Sequence, residues 1–221
     1  MNGLRRRQQI RMAEDWLNRW EEGRIGWHEP AGSAALRAHW PALPRGSRVL
    51  VPLCGKSVDL LWLADRGLKV TGVELSAVAI ESFFAEQQLD FERQTGELDR
   101  YSARNRPISI VCGDFFGFTG EVFDAVFDRG ALVAVPRDMR PEYALLVDTL
   151  LRPRAFRLIV TLEYEQARVA GPPFAVWPKE LLGYWPGLER IYEHDDIDNC
   201  PPKFRAAGLG HVVEAIWRTP L

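Results

Sequence analysis

Four short segments of this chain carry side chains suited to holding a nucleoside. Cys54-Gly55-Lys56-Ser57 follows the apolar run Arg48–Leu53. Glu74 stands 19 residues beyond Gly55, in a second apolar run, Lys69–Leu75. Gly113-Asp114-Phe115 follows Ile108–Cys112, and Asp128-Arg129 closes the run from Val122. A glycine just after a strand lets backbone approach a ligand, and the next helix offers unpaired N–H groups there. A carboxylate at the end of the second strand accepts hydrogen bonds from both ribose hydroxyls. Asp114 can accept from an adenine amino group, with Phe115 beside the ring. Arg129 is a fixed cation at the end of a fourth strand.

These groups are useful only if strands bring them together. Short β-branched runs alternate along the chain with segments of helical periodicity. Strands are expected at Arg48–Leu53, Lys69–Leu75, Ile108–Cys112, Val122–Asp128 and Phe156–Tyr164. Leu188–Tyr192 and His211–Trp217 read as a late antiparallel pair at the sheet edge. Helices are expected at Ile10–Glu22, stopped by Gly23, and at Ala34–His39, Val58–Arg66, Asp138–Leu151 and Lys179–Tyr184. Ser76 is the expected N-cap of another helix reaching about Gln87. The polar stretch 89–107 holds an expected hairpin insertion around Thr95-Gly96. Fully apolar strands alternating with helices specify an α/β fold whose mostly parallel sheet is covered on both faces. Ligands of such sheets bind outside the carboxyl ends of the strands, where the four segments fall.

Composition narrows the partners. The 221 residues form a single expected domain, 1–221, whose first 45 residues are a helical extension or lid. Net charge is −2, so a nucleic acid is not the expected partner. No apolar stretch reaches the roughly 18 residues of a membrane span. Three widely spaced cysteines argue against a disulfide framework or a zinc cluster, and for a reducing, cytoplasmic location. Cys54 and Cys112 read as small apolar fillers. Arg5, Arg6 and Arg7 read as a solvated helix start. The expected state is a monomer acting on a small molecule, with no metal.

The loop after the first strand selects among nucleoside cofactors. A dinucleotide wants G-x-G-x-x-G for its pyrophosphate, and this loop has one glycine. It also lacks the first glycine of a Walker A loop. S-adenosylmethionine carries ribose and adenine without phosphate, so it is the expected cofactor, and an NAD-dependent reductase is disfavoured.

The chain resembles the thiopurine S-methyltransferase family of class I S-adenosylmethionine-dependent methyltransferases. The resemblance rests on Trp16-x-x-x-Trp20-x-x-Gly23-x-x-x-Trp27-His28, Val51-Pro52-Leu53-Cys54-Gly55-Lys56-Ser57-Val58-Asp59 and Ala64-Asp65-Arg66-Gly67. It continues through Gly72-Val73-Glu74-Leu75-Ser76, Phe83-Phe84-x-Glu86-Gln87, Phe127-Asp128-Arg129-Gly130-Ala131-Leu132 and Gly171-Pro172-Pro173-Phe174. It implies a Rossmann-like, seven-stranded methyltransferase sheet. It implies cofactor contacts from Trp16, Trp20, Leu53, Gly55, Glu74, Asp114, Phe115 and Arg129, and an acceptor pocket at Trp27. Phe174 is expected beside that pocket, and both Lys203 and Arg205 are candidates to meet the acceptor. Trp16 or Trp20 facing the sulfonium would make a cation–π contact.

The implied reaction is methyl transfer to the sulfur of an aromatic or heterocyclic thiol, with Arg129 favouring the thiolate. Halide, thiocyanate and oxidised selenium or tellurium species are the alternative acceptors, the last implying metalloid detoxification. A non-catalytic S-adenosylmethionine binder is the other class considered. His28 is a candidate base or a structural histidine.

Overall fold

The computed structural model describes the backbone of residues 3–220 and the side chains of residues 7–220, so the Arg5 and Arg6 side chains lie outside the described residues. The chain opens with helix α1 (Gly3–Glu21). Gly23 ends it in the left-handed region at φ 67°, with Arg24 N–H donating to the Arg19 carbonyl at 2.9 Å. Helix α2 (Ala34–His39) starts at Ser33, whose hydroxyl accepts from Leu36 N–H.

Five strands form the parallel centre of the sheet. They are β1 (Arg48–Pro52), β2 (Lys69–Glu74), β5 (Ile108–Cys112), β6 (Phe123–Arg129) and β7 (Leu151–Glu163). Helix α3 (Asp59–Asp65) crosses from β1 to β2, and α4 (Ala77–Glu86) leaves β2 through its N-cap Ser76. Helix α5 (Arg140–Leu150) joins β6 to β7 and carries Pro141 in its first turn, where no N–H is needed.

The remaining strands pair antiparallel. The polar stretch after α4 is the hairpin β3 (Phe91–Gln94) and β4 (Asp99–Ala103), added to β5. At the other edge lie β8 (Glu189–Asp195) and β9 (Val213–Arg218), reached through the short helices α6 (Pro178–Tyr184) and α7 (Lys203–Ala206). The order is β3-β4-β5-β2-β1-β6-β7-β9-β8, one sheet of nine strands rather than the seven that the family resemblance implies. The two extra strands are the 89–107 insertion. Their antiparallel addition, with that of β9 and β8, confines the parallel pairing to the middle of the sheet. Charged side chains such as Glu92 and Arg93 on β3 blunt the new edge against further pairing.

Alternation along each central strand buries both sheet faces. Leu50, Val73, Val111 and Val126 pack on one side with Tyr143 and Val147 of α5. Val49, Val51, Val70, Ile110 and Phe127 pack on the other with Leu36, Leu60, Phe83 and Phe84 of α2, α3 and α4. A smaller cluster joins Tyr164, Val169, Phe204 and Val212 beneath the C-terminal strands. Gly72 is in β2 because the Cys54 sulfur fills its side-chain space, 2.6 Å from where a Cβ would sit.

Asp128, at the end of β6, is 1% exposed. Its carboxylate accepts from Tyr143 O–H at 2.6 Å and Leu132 N–H at 3.0 Å, pinning α5 and the Leu132 turn to the strand. Burial still outweighs these bonds and pushes its pKa up to about 6. The folded value exceeds the unfolded one, so the group's stabilisation is full below about pH 4 and is lost as pH rises through about 6. Relative to Asp128→Asn, the wild type is expected to lose up to about 3 kcal/mol between those values, two pKa units at 1.36 kcal/mol each. Urea unfolding of both proteins across this range checks it; a constant difference between them contradicts it.

Candidate functional site

The site grows from the ends of β1 and β2. Cys54 N–H, two residues past the end of β1, donates to the Val73 carbonyl and carries the bonding to β2 beyond the strand. The chain then turns through Leu53 (φ 47°) and Gly55 (φ 54°), both left-handed. Leu53 holds a conformation that costs a side chain roughly 1–2 kcal/mol. Glu74, at 7% exposure, closes the turn. Its Oε2 accepts from Gly55 N–H and its Oε1 from Ser76 N–H, each at 2.8 Å. One carboxylate therefore fixes the β1 loop and the start of α4. Burial raises its pKa, and the backbone donors oppose that rise.

Helix α1 covers this corner. The Trp20 ring lies over Gly55, with Cζ2 only 3.1 Å from where a Cβ would be. Any larger residue at 55 would displace it. Trp27 meets Trp16 and Trp20 edge to face, with centroids 4.9 and 5.8 Å apart. Farther along, Gln9 Nε2 donates to Asp114 Oδ2 at 2.6 Å, while Asp114 Oδ1 accepts from Phe116 N–H. Phe115 turns away into the core against Tyr143, and Phe116 is the half-buried ring of the pair. The expectation that placed Phe115 beside a ligand ring thus meets a side chain already spent on packing. The 3₁₀ turn after Asp114 sets that direction.

Arg129 projects from the end of β6 into the segment after α1. Its guanidinium donates to the Trp27 carbonyl at 2.9 Å and to the Glu29 carboxylate. Glu29 is held above the usual carboxylate range by burial, with Arg129 pulling the other way. Asp59 anchors the same segment: it accepts from Ser33 N–H at 2.8 Å and from the Ser57 hydroxyl at 2.9 Å. His28 faces Lys56 and Glu86 as well as Arg129, and burial lowers its pKa.

Trp16, Trp20, Leu53, Gly55, Glu74, Trp27 and Arg129 thus surround one corner, with Asp114 joined to it through Gln9. Phe174 and Lys203 make a second group. The Phe174 ring packs over Gly171, and Lys203 Nζ donates to the Ala170 and Pro172 carbonyls at 2.7 Å each. Arg19 of α1 is the charge that Lys203 feels. Arg205 pairs with Asp198 at the surface, outside both groups. Glu29 and Gln9 are participants that the sequence motifs do not single out, whereas Asp59 closes the motif that begins at Val51. The one signal in the sequence is the position of Glu29, two residues after Trp27.

A cavity of about 390 Å³ opens at the opposite end of the strands, among Arg48, Lys69, Arg100, Ser102 and Ser109. Arg48 and Arg100 are both spent on Glu121, and nothing there resembles a nucleoside site. The candidate site is the corner where α1 covers the ends of β1 and β2. Each Glu74 oxygen keeps a second lone pair for a ribose hydroxyl, and the tryptophan rings suit a sulfonium. No described element offers the repeated glycines of a pyrophosphate loop. These residues fit S-adenosylmethionine.

Sheet, loop and carboxylate together define a class I S-adenosylmethionine-dependent methyltransferase. Solved structures agree on the fold. A Burkholderia thailandensis 1,6-didemethyltoxoflavin-N1-methyltransferase with bound S-adenosylhomocysteine superposes with a TM-score of 0.61 at 20% identity, covering 100% of this chain and 92% of its own. A Thiobacillus denitrificans S-adenosylmethionine-dependent methyltransferase, also with S-adenosylhomocysteine, gives 0.61 at 14% identity, covering 90% and 96%. The thiopurine S-methyltransferase family model matches residues 11–220. The chain is 43% identical to the thiopurine S-methyltransferase of Bordetella petrii over 93% of its length and 97% of the relative's. It is 43% identical to that of Pseudomonas putida KT2440, over 92% and 96%. The chain belongs to the thiopurine S-methyltransferase family.

The double anchoring by Glu74 has a measurable consequence without any ligand. Glu74→Ala leaves the Gly55 and Ser76 amides buried without their charged acceptor. The expected loss is about 2–4 kcal/mol of unfolding free energy. Urea denaturation of the cofactor-free protein checks it, and an unchanged midpoint contradicts the anchoring role.

Proposed function

We propose that the protein transfers the methyl group of S-adenosylmethionine to the sulfur of an aromatic or heterocyclic thiol. The observation that carries this reading is the setting of Arg129: a cation at a strand end, held against a cluster of three tryptophans, in a chain of the thiopurine S-methyltransferase family. A fixed guanidinium stabilises a thiolate, and aromatic walls suit a flat, polarisable acceptor. Bound S-adenosylmethionine supplies a methyl group already activated on a sulfonium.

The residues of the chain bind, align and exclude water. Glu74 holds the ribose and shapes the loop at Gly55. Asp114 exchanges Gln9 for the adenine amino group. Trp16 and Trp20 close on the sulfonium side, so that residues 1–45 act as the lid of a single domain. Trp27 and Phe174 line the acceptor pocket. Lys203 rather than Arg205 serves it, because Lys203 already braces the loop that carries Phe174. Alignment and exclusion of water are the main contributions such a displacement needs from protein.

The test is a panel. Labelled S-adenosylmethionine is incubated with thiophenols, heterocyclic thiols, a catechol, an amine, halide and selenite. Thiols are expected to take the label. Arg129→Ala is expected to lower kcat/KM for thiols about 10- to 100-fold, the worth of one charge-assisted contact, and Arg129→Lys to recover part of it. Label on the catechol or amine with none on any thiol overturns the proposal.

A further inference from the structure

Arg129 does not wait as a free cation. Among the described residues, Glu29 is the carboxylate ion-paired with it, while the other arm of the guanidinium holds the Trp27 carbonyl. The side chain of Arg129 is 25% exposed and that of Glu29 is 43% exposed. The further charges that face Glu29 are Asp59 at the start of α3, Arg37 on α2, Asp196 just after β8 and Glu214 on β9. Asp59 has both oxygens committed to Ser33 and Ser57, and Asp196 lies against His194. His28 looks toward Lys56 and Glu86. Glu214 also feels the Arg129 charge, but among the described residues the ion pair is with Glu29, so Glu29 is the acid that shares the guanidinium fork with whatever else comes to it.

Charge balance then decides how a thiol can enter. A thiolate arriving as such would put two anions on one guanidinium and leave a half-buried site with an excess negative charge. A neutral thiol that hands its proton to Glu29 leaves the balance untouched: the thiolate takes the place of the carboxylate at Arg129, and the neutral acid steps aside. Burial prepares this exchange, since Glu29 already sits above the usual carboxylate range.

We propose, on the thiol reading given above, that Glu29 is a further catalytic residue: it accepts the proton of the acceptor thiol as the sulfur moves onto the Arg129 guanidinium. The S–H bond breaks with its electron pair left on sulfur, and the proton goes to a Glu29 carboxylate oxygen. A sulfur lone pair then forms the new bond to the methyl carbon, while the pair of the breaking carbon–sulfur bond stays with the departing thioether, S-adenosylhomocysteine. Glu29, partly open to solvent, returns its proton to water. Glu29 in this role extends the range of acceptors to thiols that are poorly ionised at neutral pH.

The proton count tests this without turnover. The S-adenosylhomocysteine complex is titrated near pH 7 with a thiol whose own pKa is close to that of free cysteine, about 8.5. Thiolate absorbance reports ionisation, and calorimetry in buffers of different ionisation heat reports protons released. The wild type is expected to form thiolate with no net proton release, and E29Q to release one proton for each thiolate formed. In turnover, the acid limb of the wild-type kcat/KM profile is expected to stay at one pH across a thiol series, whereas in E29Q it follows the pKa of each thiol. At about pH 6 the weakest acid is expected to lose roughly 100-fold in E29Q, the low end of general-base catalysis. E29D is expected to restore part of the loss together with the fixed limb. A merely structural Glu29 would lower the profile without moving its limb. Equal proton release by both proteins, no thiolate in the wild-type complex, or a wild-type limb that tracks thiol pKa overturns the proposal, and the last needs no variant to fold. If the wild type methylates no thiol, it is the thiol reading itself that fails.

Discussion

The carboxylate of Glu74 accepts one backbone amide on each oxygen, Gly55 on one side and Ser76 on the other. Much of the site follows from that pair of bonds. It holds the β1 loop in left-handed backbone at Leu53 and Gly55, which places the bare glycine face under Trp20. It also fixes the N-cap from which α4 departs, and the Glu74 carbonyl accepts from Gly113, the residue before Asp114. A carboxyl group at 7% exposure is costly to bury and is tolerated here because both oxygens are paired. Each oxygen keeps a second lone pair, proposed for a ribose hydroxyl.

A second constraint runs through the cations. Arg129 is engaged by the segment that follows α1, so the covering helix and the strand-end cation are mechanically joined. Asp59 holds that segment from the α3 side. Deeper in the fold, Arg140 is fully buried and ties the start of α5 to the Val135 and Ala175 carbonyls and to Glu180 of α6. It braces the loop carrying Phe174 from behind. The buried ion pair is a matter of geometry more than stability, since such pairs repay little net energy. The proposed acceptor side is thus built on charge pairs, while the proposed cofactor side is built on backbone and one acid.

Much of this was legible in the residues. The central strands carry short β-branched runs that are apolar on both faces, which few other structures tolerate, and Ser76 announces its helix by capping chemistry. The late pair of strands is readable from its apolar runs, and the hairpin near Gly96 from the turn residues Thr95-Gly96 in an otherwise polar, poorly periodic stretch. Other features needed three dimensions. α1 begins at Gly3, ahead of the apolar periodicity that starts at Ile10, and Gln8 and Gln9 donate across the fold to Asp138 and Asp114. β7 starts at Leu151 without a break after α5, and an apolar junction such as Leu150-Leu151 carries no boundary signal. Helix α7 is four residues long, too short for periodicity to register. The burial of Phe115 rather than Phe116 is decided by a 3₁₀ turn that adjacent aromatics do not reveal. Glu29 gives little sequence signal beyond its place two residues after Trp27, because its contact with Arg129 spans 100 residues of chain.

The central claim is that Glu74 both builds the cofactor corner and binds the cofactor. Calorimetric titration of S-adenosylhomocysteine into the wild type and Glu74→Gln, with circular dichroism confirming that both are folded, tests it directly. Gln keeps the shape but replaces one acceptor by a donor and removes the charge. The account predicts roughly 10- to 100-fold weaker binding by the variant, the worth of one charge-assisted hydrogen bond. Equal affinity in the two folded proteins would contradict it.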